Sequence, residues 1–195
     1  GDHVVVVLAT DGAATNARQK LERRKGITLT PEQVTYHRDR EWRLSSRRLG
    51  ATEWRIAPAG LRMPDRGVTP EGADALFDWV TTRWPGARVK SHSYLAPLHP
   101  DHRELGAALL RAYDDGQITD ARHYLSITER ALMDHLPVSK TVRRPVGDTE
   151  QKSYRTFRPE TGWYSLGYIS AGSTLEKHRA NPTSWTHEPH APWAN

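Results

Sequence analysis

The first regular pattern in the chain is Val4-Val5-Val6-Val7-Leu8-Ala9, an unbroken apolar run closed by Thr10-Asp11-Gly12. Continuous rather than alternating hydrophobicity suits a strand covered on both faces, so the run predicts a buried strand of a parallel sheet. Residues 13–29 are polar and basic and predict a loop with some helix. Thr30-Pro31-Glu32-Gln33 then reads as a helix start. Thr30 can cap, Pro31 suits the first helical position, and Gln33 completes the capping-box spacing. Gly50 after Leu49 marks the stop. Helical periodicity puts Val34, Arg38, Glu41, Ser45 and Leu49 on one stripe facing the sheet. Arg38 and Glu41 are thereby expected on a partly buried side, which is unusual for both residue types.

The alternation continues. Glu53 to Ala57 predicts a second strand. A helix from Thr69-Pro70-Glu71 has Ala73, Leu76, Phe77 and Val80 on its inward face and ends at Pro85-Gly86. Ala87 to His92 predicts a third strand. The helix after His99-Pro100 turns Leu105, Ala108, Leu109 and Ala112 inward, with His102 on the same stripe, and ends at Asp114-Asp115-Gly116. Arg122 to Thr128 predicts a fourth strand. Strands alternating with helices of this length argue for an α/β fold with a right-handed parallel sheet and flanking helices. Beyond residue 138 the pattern changes. Residues 139–153 predict an exposed loop, Tyr154–Phe157 and Trp163–Ile169 a C-terminal β-hairpin, and residues 181–195 an extended tail. Residues 1–180 are expected to form a single domain.

Composition narrows the classes. A chain of 195 residues with 36% hydrophobic residues can bury a core of its own. No apolar run approaches the length of a membrane span, and no signal-peptide pattern is present, so the default expectation is a cytoplasmic protein with no membrane partner. There is no cysteine, which excludes disulfides and thiolate metal sites and leaves His, Asp and Glu as possible ligands. The net charge of +5 and pI near 9.6 raise the question of nucleic acid. The arginines are scattered, without a compact block interleaved with aromatics. A solvated surface therefore explains the charge better than a nucleic-acid partner, which would require affinity falling steeply with salt.

Candidate chemistry concentrates after the strands. In open parallel sheets ligands bind outside the carboxyl ends of the strands. Asp11 follows the first strand, Asp65 the second, and His99-Pro100-Asp101-His102 the third. His102, in the first helical turn, is a candidate metal ligand. His99 is a candidate proton donor or oxyanion stabiliser, and Asp101 a carboxylate that holds a histidine in one tautomer. The alternative is that His99 and Asp101 cap the helix and His102 packs in the core. For Arg38 and Glu41 the alternative is a structural ion pair. His187-Glu188-Pro189-His190 could bind a metal opportunistically but is expected in a flexible tail.

The apolar strand ending in Thr10-Asp11-Gly12, the spacing Arg38-x-x-Glu41-x-x-x-Ser45-x-x-x-Leu49-Gly50, then Asp65 and His99-Pro-Asp-His102, together resemble the LmbE-like N-acetylglucosaminyl deacetylases over roughly residues 1–115. The resemblance implies a Rossmann-like fold and a divalent-metal hydrolase, usually zinc-dependent, that removes acetyl groups from N-acetylated sugars and related glycosides. By position it implies His102 as metal ligand. His99 would polarise the amide carbonyl or protonate the leaving amine, supported by Asp101. Arg38 would contact substrate with Glu41 as partner, and Asp65 would lie near the sugar; Asp11, after the first strand, is a further candidate substrate contact. The family also opens with a strand ending in His-Pro-Asp-Asp, which supplies two ligands and the general base, and this sequence contains no such motif. A first β–α unit of about 30 residues is thus expected to be missing. These 195 residues are expected to hold zinc weakly or not at all, with Asp11, His92 and His3 as possible substitute ligands. The second expectation is a catalytically inactive glycoside-binding module on the same scaffold.

Overall fold

The structure, a computed structural model, describes residues 2–95, 98–142 and 148–190. In chain order its elements are β1 (Val5–Leu8), α1 (Ala17–Lys25), α2 (Pro31–Arg48), β2 (Glu53–Ile56), α3 (Pro70–Arg83), β3 (Val89–His92) and α4 (Pro100–Asp114). There follow β4 (Ala121–Leu125), α5 (Ile127–Leu132), β5 (Ser139–Val142), α6 (Asp148–Arg155), β6 (Phe157–Arg158), β7 (Trp163–Tyr164), α7 (Leu166–Ala180) and β8 (Thr183–His187). The fold is mixed α/β, with parallel pairs flanked by helices. The chain divides into two compact units, 1–65 with 145–180, and 66–144 with 181–195. Among the described residues no helix is long and apolar enough to cross a membrane.

In the first unit β1 pairs parallel with β2, from Val5 opposite Glu53 to Leu8 opposite Ile56. α2 starts on the expected capping box, the Thr30 hydroxyl accepting from Gln33 N–H and the Gln33 side chain from Thr30 N–H. Gly50, at φ 93°, supplies the left-handed turn just past its end. Val34, Glu41 and Ser45 are buried as the stripe predicts, whereas Leu49 is exposed because the helix has already ended. Ala17, Leu21, Leu29, Val34 and Leu166 form the core, so residues 13–29 contribute a packed helix rather than chiefly a loop. The hairpin is much shorter than expected. Only Phe157–Tyr164 and Arg158–Trp163 pair, Tyr154 belongs to α6, and Ile169 to α7. The amides that open α7 are held by a carboxylate distant in sequence, which no local pattern reveals.

In the second unit the sheet order is β3-β4-β8-β5. β3 and β4 are parallel, and β8 runs antiparallel to both its neighbours. Ala73 and Phe77 of α3 and Ala108, Leu109 and Ala112 of α4 pack with Ile118 and Ala121. Leu125, Met133 and Leu136 form a separate cluster with Trp185. Three expectations change here. The fourth strand ends at Leu125, because Ser126 and Glu129 form a capping box that turns Thr128 into helix α5. Residues 139–153, expected as exposed loop, contribute β5 and α6. Residues 183–187, expected in a tail, form an interior strand with Thr183 and His187 buried. Pro182 and Pro189 flank that strand without interrupting its hydrogen bonds.

α4 lies directly on the end of β3 at Gly106. A Cβ there would come within 2.6 Å of His92 O and Ser93 C and against Tyr94 N, all backbone atoms that cannot swing aside. Gly106→Ala therefore lifts the helix off the strand. The expected cost is about 1–3 kcal/mol, the usual range for overpacking, measurable by denaturant unfolding. Unchanged stability would contradict the close approach.

Candidate active site

β3 and β4 run side by side, and their carboxyl ends carry His92 and the Ser126 turn into α5. α4 enters over this edge with His99 as N-cap and Pro100 at its first position. The His99 side chain makes no capping hydrogen bond and is left to other contacts. Its Nδ1 lies 3.8 Å from Asp101 Oδ2. Asp101 is 4% exposed and accepts from Arg66 N–H at 2.7 Å and Val68 N–H at 3.2 Å. It thus anchors the segment leading into α3 and faces His99 at the same time.

His102 does not enter the apolar core. Its ring stacks on His92 at 3.6 Å between centroids and 3° between planes, and His99 lies 4.8 Å from it with the planes 29° apart. Its Nδ1 lies 3.8 Å from Glu129 Oε1. Glu129 Oε2 accepts from Ser126 N–H at 2.9 Å, so one oxygen caps α5 and the other faces the imidazole stack. Burial would raise the Glu129 carboxyl, but His102 and Ser126 outweigh it and hold it down to about 2. Burial, with His102 and His99 alongside, pushes His92 down to about 3. The site therefore pairs an ionised carboxylate with imidazoles, one of which is kept neutral. That combination can accept and return a proton.

Behind the stack lies a second imidazole pair. His123 Nδ1 donates to His92 O at 3.2 Å, and His187 Nδ1 donates to Glu188 O at 2.8 Å. A carbonyl only accepts, so His187 Nε2 is the acceptor for the Ser93 hydroxyl at 2.8 Å. The two rings stack at 5.0 Å. His187 is thus a buried part of the sheet, 3% exposed, and not a tail ligand. His190 is held apart from it by Asp114 at 2.5 Å.

The first unit holds the other expected residues. Asp11 Oδ1 accepts from Ala13 N–H and Asp65 N–H, both at 2.9 Å, clamping the turn after β1 to the segment after β2. Arg38 covers that turn, its Nε 3.4 Å from the position a Cβ on Gly12 would take. Glu41, 1% exposed, accepts from Leu166 N–H at 2.8 Å through one oxygen and from Gly167 N–H at 2.7 Å through the other. Its carboxylate is occupied by the start of α7 and presents no surface to a ligand. His3 lies 3.3 Å from Glu53, at the β2 end of the first sheet.

No family model matches the chain, and no curated protein does. Among solved structures, the antimicrobial reagent A40926 pseudoaglycone deacetylase Dbv21 matches with a TM-score of 0.58 at 17% identity. The match covers 98% of this chain and 88% of that one. The chain shares that deacetylase's fold. At this identity the likeness concerns architecture alone, and the chemistry must be argued from the side chains.

For a divalent ion, the donor chemistry points to a different set from the one expected. Within the second unit His99 and Asp101 each bring one potential ligand atom, Nδ1 and Oδ2 lying 3.8 Å apart. An imidazole nitrogen beside a carboxylate suits zinc or a similar ion. His102, the ligand expected by position, is outside this group. It cannot join His92 on one ion either, because lone pairs in two parallel stacked ring planes do not converge at a bond length of about 2.0–2.1 Å. Glu129 escaped the sequence reading, although the Ser126-x-x-Glu129 spacing after a strand was the available signal.

Two outcomes follow. Burial pushes His123 down to about 4, against an ordinary value of 6.5. The unfolded chain then binds the proton more tightly, so the stability due to His123 is complete above pH 6.5 and is lost as pH falls toward 4. Nitrogen-15 spectra at about pH 5 are expected to show His123 as the neutral Nδ1–H tautomer, and a protonated ring there would contradict this. Glu41 behaves oppositely. Burial raises it to about 7 despite the amides of Gly167 and Leu166 and nearby Arg38, so its contribution is full below its ordinary 4.5 and is lost as pH rises through about 7. Glu41→Gln removes that slope and turns an NH₂ toward one α7 amide. The expected cost is about 1–3 kcal/mol in urea unfolding at low pH.

Proposed function

We propose that the protein is a metal-dependent N-deacetylase of the LmbE-like kind, removing an acyl group, in the first instance acetyl, from an N-acylated amino sugar or glycoside. The observation that carries this reading is the meeting of His99 and Asp101 with an ionised Glu129 and stacked His102 beyond the carboxyl ends of β3 and β4. The shared fold with a pseudoaglycone deacetylase supports it. His99 and Asp101 would hold the ion, with zinc the first choice for an imidazole and a carboxylate. When bound, such an ion supplies Lewis-acid polarisation of the acyl carbonyl.

The chain's own residues handle the protons. Hydrolysis adds a water oxygen to the carbonyl carbon, breaks the C–N bond and delivers a water proton to the departing amine. His102 is the acceptor for that proton, and Glu129, held ionised and therefore too weak a base itself, stabilises the imidazolium that forms. His102, 3.8 Å from Glu129 and open to solvent on one side, passes the proton on to the amine. His92 stays neutral beneath His102 and leaves it free to carry the charge. Asp101 fixes both the N-terminal turn of α4 and the backbone of Arg66 and Val68, so the donor positions are set before substrate arrives. Arg38 and Asp11 remain candidate substrate contacts of the first unit, with Glu41 positioning α7.

The purified protein, with zinc and separately with a chelator, is to be assayed on N-acetylglucosaminyl glycosides by mass spectrometry. Zinc-dependent loss of one acetyl group is expected. His99→Ala should abolish zinc binding and turnover together. Glu129→Gln should lower kcat by about 10²–10⁴ with zinc still bound. Glycoside binding with no turnover in any metal would establish the binding module instead. Turnover undiminished by chelator and by His99→Ala would sink the metal reading.

A further inference from the structure

The outward face of α2 carries a feature the deacetylase reading does not use. Arg40, Arg43 and Arg47 recur at helical spacing on one face, and with Tyr36, Trp54 and Trp163 they line a groove of about 460 Å³ in the first unit. The residues span α2, β2 and β7, so only folding brings them together. Arg40 is fixed in place, its guanidinium 3.9 Å over the Trp163 ring and its Nη1 donating to the carbonyls of Thr161 and Gly162. Arg43 and Arg47 are exposed and have no ion pair among the described residues. The one carboxylate in the lining, Asp39, is neutralised by Arg62 through two bonds of 2.6 and 2.9 Å. The groove therefore faces its ligand with uncompensated positive charge beside the exposed rings of Tyr36 and Trp54.

We propose that this groove binds a nucleoside phosphate, with Arg43 and Arg47 on the phosphoryl oxygens and Tyr36 and Trp54 against the base. Guanidinium forks match phosphate, aromatic faces stack on bases, and the volume lies in the range of small-molecule sites. A purely anionic ligand would leave the exposed aromatic rings unused, and a neutral one would leave the two arginines unpaired. The inference is independent of the deacetylase reading, since none of these residues serves there.

Calorimetry on the purified protein compares a nucleoside diphosphate with its nucleoside, with pyrophosphate and with a single-stranded oligonucleotide. The nucleoside diphosphate is expected to bind tightest, by about tenfold or more over either fragment, and to quench tryptophan fluorescence. The double substitution Arg43→Gln with Arg47→Gln should weaken it by about tenfold or more while thermal unfolding stays unchanged. Trp54→Ala should bring nucleoside diphosphate and pyrophosphate to equal affinity. Equal affinity already in the wild type means a plain anion site, and preference for the oligonucleotide means a nucleic-acid groove. Either result, or full binding by the double variant, overturns the proposal.

Discussion

The second unit is organised by one close backbone approach, that of α4 onto the end of β3 at Gly106. Helix and strand meet at a distance that leaves no room for a methyl group. That approach brings the first turn of α4 down onto His92 and makes the His92–His102 stack possible. Asp101, one residue earlier, then reaches the amides of Arg66 and Val68. Loosening α4 would therefore disturb an imidazole stack, a buried carboxylate and the entry to α3 together. Packed elements transmit such displacements because interiors close to crystal density have few ways to absorb them.

Two buried carboxylates show how position alone separates roles. Glu129 shares one oxygen with its own helix start and keeps the other toward His102, and that company holds it ionised. Glu41 spends both oxygens on the amides of Leu166 and Gly167, in a place dry enough to raise its pKa despite them. Glu129 keeps one oxygen toward an imidazole, whereas Glu41 is placed to start a helix. Neither role can be read from residue type.

The site was legible in the sequence to the extent that its residues sit next to helix starts and strand ends. His99, Asp101 and His102 stood out because Pro100 marks a helix start after a strand, and the structure brings them together. Asp65 stood out as an acid after β2, and its N–H donates to Asp11 within the first unit. The division of work among them was not legible. His102 is the expected ligand, and its ring stacks on His92 beside Glu129, an arrangement with no sequence signature. Glu129 was missed because its capping box was read as the continuation of a strand. The arginine and tryptophan residues of the first unit looked scattered because α2, β2 and β7 are separated in the chain.

The sequence by itself determined the apolar run of β1, the capped start of α2, the glycine stop at Gly50 and the α4 entry at His99-Pro100. Each of these depends on neighbours within a turn or two, where sterics and capping act without help. Only the tertiary structure decided that residues 183–187 form an interior strand and that Glu41 opens α7. The same holds for the stack of His92, His102 and His99 beside Glu129. These arrangements satisfy buried polar groups with partners tens of residues away, and such partners exist only once the chain has folded.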